Sequence, residues 1–112
     1  MKLLNGNELA GFIKERQAKE VRRLAQAYAV VPKLAIVQVK NDPVINTYVK
    51  LKKQYGADIG AAVDIHFVAQ EATEETIERL NNDIEVHGII VQLPLNDVSE
   101  TDKICNLVSP DK

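Results

Sequence analysis

The sequence predicts an α/β domain in three layers: a small parallel sheet of three strands, in spatial order 2-1-3, with helices on both faces. Three observations carry that reading. Short aliphatic runs recur at Leu34–Val39, Ala61–Val68 and Gly88–Leu93. Between them lie segments whose apolar residues fall at three- and four-residue steps, the period of a helix. Helix-start residues stand at the head of most of these segments. The order αβαβαβα implies parallel strands joined by crossovers and covered on both faces. Right-handed crossovers that cover both faces must reverse their winding once, which puts the first strand in the middle.

Residues 5–29 place Leu9, Phe12, Ile13, Val21, Leu24, Ala25 and Tyr28 mostly on one side, opposite Lys14, Glu15, Lys19, Arg22 and Arg23. This predicts an amphipathic helix lying on a core, with a solvated charged face. Pro32 ends it. The run Leu34–Val39 reads as a buried strand, followed by the turn Lys40-Asn41-Asp42-Pro43. Asp42 is suited to cap the next helix and Pro43 to open it. That helix reaches about Ala57, and Gly60 is its stop signal. Val63, Ile65 and Phe67 alternate with Asp64 and His66, so the second strand has one face partly open and lies near a sheet edge. Thr73 is placed to cap the third helix, with Glu74 and Glu75 in its first turn, and Ile77, Leu80 and Ile84 form its stripe. The third strand stops at Pro94. A last short helix starts near Ser99, with Asp102 in a capping-box-like spacing, and ends by Pro110.

Composition narrows the function. A chain of 112 residues with 46% apolar and 27% charged residues suits one globular domain. Its net charge of −2 leaves no basic surplus for nucleic acid. No apolar stretch reaches membrane-spanning length, and Met1–Leu4 lacks a secretory core. One cysteine, Cys105, fits a reducing cytoplasm and reads as a small buried hydrophobe on a helix rather than a nucleophile. His66 has no partner at metal-ligand spacing. There is no G-x-G-x-x-G and no G-x-x-x-x-G-K-[ST], so the chain offers no glycine-rich phosphate turn and no cofactor-binding residues.

In the 2-1-3 order the topological switch point lies between the carboxyl ends of the first and third strands, where open α/β sheets bind ligands. Tyr48 and Lys52, four apart on the second helix, lie beyond the first of those ends, and Gln92 lies at the second. In a partly dry cleft the charged form of Lys52 is disfavoured, which suits it to act as a general base or, protonated, to polarise a leaving group. Tyr48 can stack on a flat ligand and Gln92 can donate and accept. Spacing alone favours a plainer account: a surface lysine, a core tyrosine and a strand-end glutamine.

Motifs tip the balance. The stretches HGIIVQLPL (His87–Leu95), YVKLK (Tyr48–Lys52), LAIVQV (Leu34–Val39), LLNGNELAGFI (Leu3–Ile13) and NLVSPDK (Asn106–Lys112) span essentially the whole chain. Together they resemble the N-terminal, folate-binding domain of bifunctional methylenetetrahydrofolate dehydrogenase/methenyltetrahydrofolate cyclohydrolase, an amino-acid-dehydrogenase-like fold. The resemblance implies a cleft for tetrahydrofolate derivatives between residues 1–112 and a Rossmann domain that binds NADP. Tyr48 then matches the tyrosine stacked on folate, and Lys52 the lysine central to the cyclohydrolase step. Gln92 matches the glutamine that positions that lysine, with Leu93 and Pro94 beside it on the substrate. It also implies a cytoplasmic homodimer that interconverts methylene-, methenyl- and 10-formyl-tetrahydrofolate.

Two residues depart from the family pattern: Lys40 stands at a usual glycine, and Ile45 at a usual serine. The first questions the strand-to-helix turn; the second removes a hydroxyl from the site and motivates an alternative, a non-catalytic binding domain that keeps the fold. The sequence ends at Lys112, where the family continues into D-V-D-G, so the expectation is an excised N-terminal domain in which Asp111 takes no role. Such a domain is expected to expose an apolar patch near Val91, Leu93 and Leu95 and to self-associate there. The family's leucine–proline bond can be cis, to which sequence adds only the modest X-Pro tendency.

Overall fold

An uninterrupted apolar run in a parallel sheet is buried on both faces, and residues 34–39 behave accordingly. The computed structural model describes residues 5–112, so Leu3 and Leu4 of the opening motif lie outside the described residues. The elements are α1 (Gly6–Tyr28), β1 (Lys33–Gln38), α2 (Pro43–Ile59), β2 (Ala62–Phe67), α3 (Thr73–Asn81), β3 (Gly88–Gln92) and α4 (Thr101–Cys105). The strands form one parallel sheet in the order β2-β1-β3. Ala35, Ile36 and Val37 of β1 are fully buried. The predicted fold class and strand order both hold.

The alternation of β1 separates two cores. Ala35, Val37 and Val39 pack with Ile77, Leu80, Ile89, Leu95 and Ile104, on the side of α3 and α4. Ile36 packs on the other face with Ile45 and Val49 of α2, supported by Leu34, Val63 and Ile90. The three layers are therefore unequal, and the α2 side is the thinner core.

Its thinness has a cause. Contrary to the sequence reading, α1 does not lie on a core: none of its 23 residues is buried, and Phe12 is 62% exposed. Polar contacts fasten it to the end of α2 instead. Lys14 Nζ lies 2.6 Å from Asp58 Oδ2 and 5.2 Å from the centre of the Tyr55 ring, and the Tyr55 hydroxyl donates to Gln17 Oε1 at 2.5 Å. The consequence is an extended shape. The radius of gyration is 16.0 Å, where a compact chain of this length has about 13 Å. The accessible surface is 7865 Å², where about 6,200 Å² is usual for this mass. Periodicity reports that a helix has an apolar side; it does not report what covers that side.

Other departures are local. The helix α1 ends at Tyr28 and is capped by Ala29, in the left-handed region at φ 56°, three residues before Pro32. Thr73 opens α3 without capping it: a 3-10 turn, Gln70–Ala72, precedes it, and the Thr73 hydroxyl donates to the Gln70 carbonyl. Ile84 lies beyond α3 and is 90% exposed, so it is not part of the stripe. At the last helix Asp97, not Ser99, supplies the cap, accepting from Ser99 N at 3.0 Å and heading a 3-10 turn that runs into α4. Cys105 is only half-buried. No helix among the described residues is long and apolar enough to cross a membrane, and no cluster of His, Cys, Asp and Glu among them could hold a metal.

Two outcomes follow from this packing. A Cβ on Gly56 would overlap Val63 Cγ2 and stand 3.3 Å from the Ala61 carbonyl, so Gly56→Val is expected to lose about 1–3 kcal/mol in urea unfolding. The Asp58 carboxyl is held below its usual range, first by the hydrogen bond from Lys14 and then by that from Gln54. A depressed carboxyl stabilises above its unfolded value of about 4 and ceases to do so as pH falls through the folded one. Nitrogen-15 relaxation is therefore expected to show α1 loosening from α2 on acidification below about pH 4, with Asp58→Asn loosened at every pH.

Candidate functional site

The site is built on the first turns of α2. Asp42 Oδ1 accepts from Val44 N at 2.8 Å and from Ile45 N at 3.3 Å, and Pro43 occupies the first helical position, as the sequence predicts. Ile45, Val49 and Gly56 are buried on the side that faces the sheet. Lys52 belongs to the same stripe by its spacing, and it is half-buried. A charged residue on a packing stripe needs a polar partner. Lys52 Nζ finds one at the end of β3, donating to Gln92 Oε1 at 2.6 Å.

That partner is neutral. The ion pairs among the described residues join Lys14 to Asp58, Arg23 to Glu20, and Lys33 to Asp64 and Glu85, and none includes Lys52. Among the described residues the amide nitrogen of Gln92 makes one long contact, 3.4 Å to the Leu93 carbonyl. Tyr48, one turn before Lys52, is 55% exposed and is not the core tyrosine of the plainer account. Leu93 and Pro94, joined by a cis peptide, are exposed beyond Gln92. Leu95 is buried in the core, so the expected patch of Val91, Leu93 and Leu95 does not form.

A second group of amides escapes the sequence reading. Gln38 is buried and stands beside Gln92 in the parallel register. Its Nε2 donates to the Lys40 carbonyl at 3.0 Å and to Asn46 Oδ1 at 2.6 Å, and Asn46 Nδ2 donates to Asn41 Oδ1 at 3.0 Å. These bonds stitch together the turn that joins β1 to α2. The available signal is a glutamine inside an apolar strand, because a buried amide must be bonded to something fixed. Lys40 fits this turn without a left-handed backbone: Ala29 is the one non-glycine described with positive φ. The doubt over the turn therefore falls away. Ile45 replaces the expected serine as a core residue packed with Ile36 and Val49.

Elsewhere, a groove of about 370 Å³ lies at the amino end of the sheet, beside Val31, Lys33, Ile84, Glu85 and His87. Lys52 and Gln92 stand at the opposite, carboxyl end, where open α/β sheets bind their ligands.

The fold is that of an open α/β domain, with Lys52 and Gln92 meeting at its topological switch point. The chain belongs to the tetrahydrofolate dehydrogenase/cyclohydrolase catalytic-domain family, whose model matches residues 4–112. It is 38% identical over 116 residues to the bifunctional protein FolD of a Nitratiruptor species, covering 100% of this chain and 41% of that protein. It superposes with a TM-score of 0.91 on the bifunctional FolD methylenetetrahydrofolate dehydrogenase/cyclohydrolase of Campylobacter jejuni, at 32% identity, over 100% of this chain and 41% of that one. The corresponding Trypanosoma brucei enzyme, solved with NADP cofactor and inhibitor, gives a TM-score of 0.87 at 28% identity over 97% of this chain and 38% of that one. The chain thus spans about two fifths of the relatives it matches.

If Ile45 now serves packing, restoring the hydroxyl opens a cavity on the thinner core. Ile45→Ser is expected to lower stability by about 2–5 kcal/mol in denaturant unfolding.

Proposed function

We propose that this chain is the tetrahydrofolate-binding half of a dehydrogenase/cyclohydrolase, corresponding over residues 1–112 to the catalytic domain of FolD, and that Lys52 carries the cyclohydrolase step. The observation that carries the reading is the 2.6 Å hydrogen bond from Lys52 Nζ to Gln92 Oε1 at the switch point. The amine is held by a neutral amide, and none of the ion pairs among the described residues includes it.

In the cyclohydrolase reaction water adds to the methenyl carbon bridging two nitrogens of the folate, and the bond from that carbon to one nitrogen then breaks, leaving a formyl group on the other. Lys52 as the free amine takes a proton from the attacking water and, as ammonium, returns one to the departing nitrogen. The substrate begins as a cation, so one proton is released overall. Gln92 holds the lysine through its carbonyl and offers its N–H groups to the ligand. Tyr48 supplies an exposed ring for stacking, and Leu93 and Pro94 form the adjacent wall.

The dehydrogenase half-reaction passes a hydride from the methylene bridge to NADP. On this reading the cofactor belongs to another domain. The amino end of α2, where a dinucleotide's phosphates would sit, already holds the Asp42 carboxylate. We assign NADP to a Rossmann domain outside this sequence and place the complete protein in the cytoplasm as a homodimer. The departure at Ile45 favours a second reading, a binding domain that keeps the fold without the chemistry.

One pair of experiments separates the two. Titrating this chain with 5-formyltetrahydrofolate, a stable reduced folate, is expected to shift the amide resonances of Tyr48, Lys52 and Gln92, whereas NADP leaves them unchanged. In the chain joined to a FolD NADP domain, Lys52→Met is expected to cut cyclohydrolase turnover by about 10²–10⁴-fold while folate still binds. Unchanged turnover would remove Lys52 from the chemistry, whereas folate binding with no turnover in the joined, unaltered chain would leave the binding-domain reading standing.

A further inference from the structure

Gln92 ends β3, and the wall continues through Leu93 and Pro94 as a loop, which orients a ligand only if both ends are fixed. Its beginning belongs to β3, and Leu95 anchors its middle in the core. Its far end, Asp97, is gripped from another part of the chain. Gln70, in the 3-10 turn after β2, accepts from Asp97 N through Oε1 at 2.8 Å and donates from Nε2 to the Asp97 carbonyl at 3.0 Å. The same nitrogen donates to Glu100 Oε1 at 2.7 Å.

One side-chain amide thus pairs with both backbone groups of a single residue, as a neighbouring strand would. Gln70 is half-buried, and both its amide hydrogens and its oxygen are engaged within the protein, so it is not offered to a ligand. Asp97 is committed in its turn: its carboxylate accepts from the backbone and the hydroxyl of Ser99. The connection spans 27 residues of sequence and joins the β2 side of the sheet to the β3 side.

We propose that Gln70 is a positioning residue for the folate site, which sets the placement of Gln92, Leu93 and Pro94 by locking Asp97 and does so without touching the ligand. The proposal rests on the folate reading above for its ligand, but not for its geometry. Gln70 belongs to neither core, and the bond it receives from Thr73 is made to its main-chain carbonyl, so replacing its side chain releases the loop more than it weakens the fold.

The test uses this chain with Gln70→Ala and Gln70→Glu; the second keeps the shape and the acceptor for Asp97 N but loses both donors. In the free protein both variants are expected to shift the side-chain amide resonance of Gln92, which Gln70 does not contact. Affinity for 5-formyltetrahydrofolate is expected to fall about five- to fiftyfold, the effect of one or two lost hydrogen bonds. If a folded variant leaves both the Gln92 resonance and the affinity as they were, the proposal is wrong. If the unaltered chain binds no 5-formyltetrahydrofolate, the folate reading fails, and the Gln92 resonance still decides whether Gln70 positions the loop. Should Gln70→Ala not fold, Gln70→Glu carries both measurements.

Discussion

Burial of β1 on both faces is the constraint from which the rest of the domain follows. Ile36 and Val37 point in opposite directions and are both fully enclosed, so helices must cover both sides of a sheet only three strands wide. With β1 in the middle, the two crossovers run to opposite faces, and the connection changes direction between β1 and β3. Any ligand site at the carboxyl end is thereby drawn to the gap that Lys52 spans to reach Gln92. The strand order and the meeting of Lys52 with Gln92 at the carboxyl end both follow from one strand's composition.

Much of this is legible in the sequence because it depends on local signals. The apolar run at 34–39 announces a doubly buried strand, and Asp42 with Pro43 announces the start of α2. The likeness at Tyr48, Lys52 and Gln92 points to the end of the sheet where the structure places them. What stays hidden depends on tertiary partners. The contacts of Gln70 reach 27 and 30 residues along the chain, and no local pattern encodes such a reach. The stripe of α1 is apolar as its spacing predicts and yet not buried, because a helical period carries no information about the surface it meets. Ser99 resembles a cap because serine is a good one, but Asp97 two residues earlier accepts the same kind of bond and takes its place.

The second helix shows why burial and exposure mix so closely around the site. Ile45, Val49, Lys52 and Gly56 form the stripe toward the sheet. One step round the helix, Val44, Tyr48, Leu51 and Tyr55 form another apolar stripe, and all four are exposed. A helix with two apolar sides is built to be covered on both. Here α1 meets the far end of the second stripe, at Tyr55. Tyr48 therefore stands at the border between a packed face and an open one, where an aromatic ring can meet a flat ligand while its helix is held from behind.

Lys52 occupies the buried stripe at a position where an aliphatic residue would pack more readily, and the fold tolerates it because Gln92 receives its amine. The two halves of that contact come from elements with independent supports. The cap, Ile45 and Val49 hold α2, and the turn ahead of it is tied by Gln38 and Asn46; the β3 end is held by the ladder to β1, with Leu95 and the Gln70 clamp beyond it. An amine and an amide fixed separately in this way keep their spacing when neither the helix nor the loop is otherwise rigid at its surface. Such spacing is what proton transfer to a bound ligand requires, since displacement by a fraction of an ångström breaks the hydrogen-bonded path on which it depends. On the folate reading, the consequence of the polar bonds around the site is to hold one nitrogen in place.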